Sequence, residues 1–203
     1  MITALPEPLV LHAPTIRREI AEAIEATHEV GVAYWSAYTT PEFFAPLGGH
    51  WSASEHVRHL TRSMRPIVTA LGVPRVALRV AFGAAARESR TLSELQAAYH
   101  AALDAGGTAG RYAPPPDRAT PDMARRDEIM DTHSETLRSL TRAMKRWSEA
   151  QLDASLLPHP LLGRVTMREM MLFAVIHNQH HVDVAERRRL ETRDSSTSPR
   201  LTF

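Results

Sequence analysis

Apolar residues recur along most of this chain at three- and four-residue intervals, the spacing that puts side chains on one face of an α-helix. Pro and Gly punctuate the pattern, no internal repeat appears, and the whole predicts an all-α protein. A first helix is expected over Thr15 to Tyr38, with Ile16, Ile20, Ala23, Ile24 and Val30 on a stripe that admits one polar residue, Thr27. PEFFAPLGGH follows as a loop. The second helix opens on Ser52-Ala53-Ser54-Glu55, a capping box in which the serine hydroxyl accepts from the Glu55 amide while the glutamate reaches back to the Ser52 amide. It runs towards Leu71 with an expected kink at Pro66, and Gly72 and Pro74 end it.

Residues 72–124 are less regular. Val76 to Ala86 fits a short helix or an irregular crossing, and TLSELQAAYHAALDAGG reads as a helix opened at Thr91 and closed at Gly106-Gly107. RYAPPPDRATPDM is a long connection, either a rigid spacer or a segment beside a functional site. A third long helix is expected from Arg125 to Trp147 on a stripe of Ile129, Leu137, Leu140, Met144 and Trp147. The fourth opens on a second capping box, Thr166-Met167-Arg168-Glu169, and runs to about Leu190. Four helices of about 20 residues, each about 30 Å long, predict a four-helix bundle with a long crossover and a short inserted helical segment between helices two and three. Residues 1–190 are read as one domain and 191–203 as a polar, flexible tail.

Composition narrows the chemistry. A chain of 203 residues with 43% hydrophobic content suits a single core. Its 24 basic and 23 acidic residues nearly cancel, so no field favours nucleic acid, and Arg187, Arg188 and Arg189 read as a solvated helix end. With no cysteine there is no disulfide, thiolate ligand or cysteine nucleophile. The opening MITALPEPLVLHAP lacks a positive leader and no apolar run approaches a membrane span, so a soluble cytoplasmic protein with no membrane or nucleic-acid partner is expected.

The histidines carry what candidate chemistry there is. On the second helix Val57, Leu60, Met64, Ile67, Val68 and Leu71 make a core face, with Arg58, Arg62 and Arg65 opposite. Between these lies a strip of Ser52, His56, His59, Ser63 and Ala70, suited to lining a cleft. On the fourth helix His177 and His181, about 6 Å apart along the axis, share a face with Met170, Phe173, Ala174 and Val184. Buried imidazoles need partners; a divalent ion would satisfy two nitrogens at once, as would ordinary core hydrogen bonds. His180 lies to one side as a spare ligand or supporting donor, and Asp183 points away. Glu55 is assigned to capping, Ser52 shows no nucleophile context, and His12, His28, His50, His100, His133 and His159 are read as structural or exposed. Leu172, Val175 and Val182 form an outward apolar strip that would pack on a partner subunit or inside the chain.

Trp51-Ser52, Glu55 and His59-Leu60, joined to HPLLGRVTMREMMLFAVIHNQHH, resemble the DinB/YfiT-like family over most of the chain. The resemblance implies a four-helix bundle, often homodimeric, with a divalent ion, nickel or zinc, held by one histidine of the second helix and two of the fourth. Carried over by motif, these are His59, His177 and His181, with His56 and His180 as supporting residues. It implies a metal-dependent enzyme acting on a small molecule, either hydrolase-like through an activated water or S-transferase-like through a low-molecular-weight cellular thiol. A non-catalytic, stress-related metal-binding protein is the alternative. Val184 stands where many members carry glutamine, and no residue is assigned as general base.

Overall fold

The computed structural model describes residues 13–117 and 120–197. Over these the chain forms α1 (Arg17–Ser36), α2 (Thr40–Phe44), α3 (Ala53–Gly72), α4 (Arg75–Phe82), α5 (Leu92–Asp104), a 3-10 turn (Gly110–Tyr112), α6 (Met123–Met144), α7 (Glu149–Ala154), the strands β1 (Leu156–His159) and β2 (Gly163–Thr166), and α8 (Met167–Thr197). The four long helices α1, α3, α6 and α8 make the bundle, each packing on two of the others, while α5 lies along the outside of α8. None of the described helices is long and apolar enough to cross a membrane.

The predicted stripes become the core. Ile20, Ile24, Met64, Leu71, Leu137, Leu140, Met144 and Trp147 are buried in one cluster with Met171 and Ile176 of α8. Trp147 closes the end of α6 against α3, its indole N–H donating to the Leu71 carbonyl at 3.0 Å. A second cluster gathers Tyr34, Trp35, Tyr38, Phe43, Phe44, Val57 and Val182. Thr27, the polar member of the α1 stripe, is satisfied by donating to the Ala23 carbonyl at 2.8 Å. Val30 and Ile129 are only partly buried, and Ile16 sits just ahead of α1, 42% exposed.

Both capping boxes form. The Ser52 amide donates to the Glu55 carboxylate at 2.8 Å and Ser52 Oγ accepts from the Glu55 amide. The Thr166 amide donates to Glu169 at 2.9 Å and Thr166 Oγ1 accepts in return. Glu169 has a further task. Its side chain is fully buried and paired with Arg87 and Arg90, so those bonds hold its carboxyl down to about 2 against the opposing effect of burial.

The structure departs from several of these expectations and decides one alternative left open. PEFFAPLGGH is not wholly a loop: Thr40–Phe44 forms one helical stretch, capped by Thr39 and Glu42 and fixed by the burial of Phe43 and Phe44. Residues 156–166 form an antiparallel hairpin pairing Leu156 with Thr166 and His159 with Gly163, too short for strand periodicity to stand out in the sequence. Helix α8 passes Leu190 and reaches Thr197, so the expected tail overlaps the helix; residues 198–203, like His12, lie outside the described residues. Leu172, Val175 and Val182, read as packing on a partner subunit or inside the chain, are buried within the chain, where α1 packs on α8. Arg189, read as solvated, is bonded to Glu186 through two nitrogens.

Candidate metal centre

Helices α3 and α8 pass antiparallel at the wall of a cleft of about 830 Å³. The register follows from three contacts: His56 meets His181, His59 meets His177, and Ser63 meets His177. A residue further along α3 therefore faces a residue earlier on α8. This brings together His59, His177 and His181, all buried, with one ring nitrogen of each within 4.8 Å of the others.

Convergence is through Nε2. His177 Nε2 lies 3.1 Å from His59 Nε2 and 3.1 Å from His181 Nε2. With ion–nitrogen distances of about 2.0–2.1 Å, two imidazole nitrogens on one ion sit about 2.9–3.4 Å apart across octahedral or tetrahedral angles, so these spacings suit either geometry.

The opposite nitrogens decide which tautomer each ring adopts. A carbonyl oxygen only accepts, so His59 Nδ1 carries a proton and donates to Tyr112 O at 3.0 Å. Ser63 gives its own hydroxyl proton to Leu60 O, which leaves its oxygen to accept from His177 Nδ1 at 3.4 Å. His181 Nδ1 and His56 Nδ1 lie 2.8 Å apart and share one proton; with that proton on His181, its Nε2 is a free lone pair. Three lone pairs then point at one another, an arrangement that repels unless a cation stands between them. Fixing the donor nitrogen through a bond to the other one is how metal-ligating histidines are ordinarily oriented.

Electrostatics agree with neutral ligands. Burial pushes His177 and His181 well below the ordinary imidazole range, with the neighbouring imidazoles adding to the effect. His59 is lowered chiefly by burial, which outweighs the Tyr112 bond. His56 is lowered to about 3 by burial and by His59 and His180. Trp51 stacks on His181 at 6.1 Å, and Phe173 stacks on His177 at 4.9 Å. His180 turns aside to meet the edge of Tyr99, 5.4 Å away, and forms no part of the convergent group.

The segment that the sequence left unplaced completes the site. From it, Gly107, Thr108, Ala109, Arg111, Tyr112, Pro114 and Pro116 line the cleft, and Tyr112 supplies its carbonyl. They are pinned to α3 at two places. Arg62 donates to Arg111 O at 3.1 Å, and the buried Asp117 carboxylate accepts from Ser54 Oγ at 2.9 Å and pairs with Arg125 at 2.6 Å and Arg58 at 3.6 Å. A backbone carbonyl as hydrogen-bond partner leaves no residue-type signal, so only the proline-rich spacing hinted at this role. His159, read as structural or exposed, is buried in the cleft wall, and its Nδ1 accepts from the amides of Leu161 and Leu162, which shapes the Pro160-Leu161-Leu162 turn.

A helical bundle with three convergent, neutral imidazoles at the floor of a cleft defines a class of bundle protein with a candidate metal centre. A model of the DinB superfamily matches residues 23–185, and the chain belongs to that superfamily. No curated protein and no solved structure matches it.

Proposed function

We propose that this protein is a metal-dependent enzyme acting on a small molecule, with one divalent ion, nickel or zinc, held by His59, His177 and His181. The observation that carries this reading is the convergence of three Nε2 atoms, each ring fixed from behind, at the floor of a cleft large enough for a ligand. Three protein ligands is the number used by catalytic zinc sites, which keep a position open. A divalent ion bound there would supply Lewis-acid activation of a water, as in a hydrolase, or of a low-molecular-weight thiol, as in an S-transferase. The chain has no cysteine, so such a thiol would come from the cell.

The protein's own groups have separable tasks. The Tyr112 carbonyl, Ser63 and His56 hold protons on the three Nδ1 atoms and so aim the Nε2 atoms. Trp51 and Phe173 wall the imidazoles against water. Burial pushes the Tyr99 phenol up to about 12, so it stays protonated and available as a donor to a ligand. Glu55 is the sole carboxylate among the described residues lining the cleft; with one oxygen engaged at the Ser52 amide, the other is its only anionic acceptor for a substrate proton. The non-catalytic alternative drew support from an apolar back face on α8, and that face is inside the bundle.

Elemental analysis of untagged protein beside His59→Ala, His177→Ala and His181→Ala tests the reading. About one divalent ion per chain in the wild type, lost in each variant, is expected. A wild type that retains no ion, or variants that retain it unchanged, would overturn the proposal.

A further inference from the structure

The cleft is not uniform along its length. Helix register sorts its lining, because α3 and α8 run antiparallel with the three histidines opposite one another near the middle. On the side of the α3 N-terminus and the α8 C-terminus, the walls carry His50, Glu55 and Arg188, while Arg111 stands at the middle beside His59 and Arg62, its guanidinium donating to the Tyr112 hydroxyl. On the other side, α3 presents Ile67 and Ala70 and α8 presents Met170 and Phe173, joined by Phe82 and Leu157. Among the described residues of α3, α4, α8 and the hairpin, no charged side chain lines that second arm. His159, a polar residue beside it, has its Nδ1 engaged by two amides of the hairpin turn. Ala70 lies eleven residues beyond His59, about 16 Å along the helix.

We infer that the substrate is a small molecule with an extended apolar body, on the order of ten carbons long. The body lies in the arm between the second half of α3 and the first half of α8, and the reacting polar group lies at the histidines. This deepens the metal-dependent reading above and rests on it. The physical reason is asymmetry: apart from the Tyr99 phenol beside Phe173 and the His159 ring, the arm offers apolar surface, so a polar body would lose most of its hydration without replacement, whereas an apolar one gains by leaving water. The charged side of the cleft could not take that body on the same terms. Ala70 sets the depth of the arm, since a larger side chain there would fill its far end.

Titration calorimetry of metal-loaded protein with unbranched hydroxamic acids, from acetohydroxamate to decanohydroxamate, separates the two ideas. The hydroxamate head tests the ion and the chain tests the arm. Acetohydroxamate is expected to bind the wild type and not His177→Ala. Affinity is expected to rise about threefold per added methylene until the arm is filled. Ala70→Phe should move the plateau to shorter chains with acetohydroxamate affinity unchanged. If Ala70→Phe fails to fold, as judged by circular dichroism, Leu161→Glu on the hairpin turn serves, and should weaken decanohydroxamate about tenfold while sparing acetohydroxamate. Equal affinity for all chain lengths, with acetohydroxamate bound, would overturn the apolar arm and leave the metal site standing. Failure of every hydroxamate, acetohydroxamate included, would overturn both.

Discussion

The bundle holds two sets of histidines, and they differ in what faces each ring. On the cleft side, His59, His177 and His181 bring three nitrogens to within hydrogen-bond distance of one point. In the interior, His28 of α1 and His133 of α6 meet edge to face with centroids 5.2 Å apart, and His133 Nδ1 lies 3.3 Å from Thr61 Oγ1 of α3. Burial lowers the pKa of His28 and His133 as it lowers those of the cleft histidines, so burial alone does not distinguish a ligand set from a core layer. Direction does. The cleft rings are each held at Nδ1 and present Nε2 to a common space, whereas His28 and His133 present rings to each other.

Three measurements would break or sharpen this contrast. The largest expected effect is from the clamp behind His59. Asp117→Ala removes the pin to Ser54, Arg58 and Arg125 and leaves that of Arg62 on the Arg111 carbonyl, so the Tyr112 carbonyl fixes His59 Nδ1 less firmly. Divalent-ion affinity should fall about 10–100-fold, the usual range for losing an outer partner of a ligand, with the fold intact by circular dichroism. An unchanged affinity would show that His59 is aimed by its own rotamer.

The core pair should behave in the opposite way. His133→Leu should leave ion stoichiometry at the wild-type value while costing about 1–3 kcal/mol of stability at neutral pH, read from denaturant unfolding. The sign of its pH dependence follows from burial, which lowers the His133 pKa from 6.5 to about 3. The native state favours the neutral ring, so its contribution is complete above pH 6.5 and is lost as pH falls from there towards 3. The stability gap between wild type and His133→Leu should therefore narrow over that window, and a widening gap would contradict the assignment of a neutral core imidazole. The smallest effect belongs to Ser63→Ala. Its contact with His177 is long, at 3.4 Å, and removing it should weaken ion binding about fivefold or less.

The same contrast explains what was legible in the sequence. The four bundle helices, both capping boxes and the His177–His181 pair were readable because helical periodicity and i,i+4 spacing are local signals, whereas His59 joined that pair through the family resemblance. His133 read as structural or exposed because it has no spacing partner, and only tertiary packing turns its ring towards His28 and Thr61 inside the bundle. The β1–β2 hairpin escaped because four-residue strands carry almost no period, and its turn is built by the His159 side chain rather than by a two-residue Gly or Asn signature. Asp117 and Tyr112 escaped because the site uses them from within a proline-rich connection with no repeating pattern. The α8 back face was ambiguous for a different reason: apolar positions around most of a helix mean burial, and here it was α1, not a partner, that did the covering.

The antiparallel crossing of α3 and α8 has a consequence for when the site comes into being. His59 and its partner on α8 are 118 positions apart in the chain. Vectorial synthesis delivers α3 long before α8, so an ion meeting the nascent chain would find at first only His59 of the three, and later His177 and His181 one helical turn apart. Capture by all three must wait until nearly the whole bundle has closed. Were the three histidines to hold an ion, its retention would thereby be a late checkpoint on assembly, and a chain that stalled before α8 docked would release it instead of carrying it half-bound.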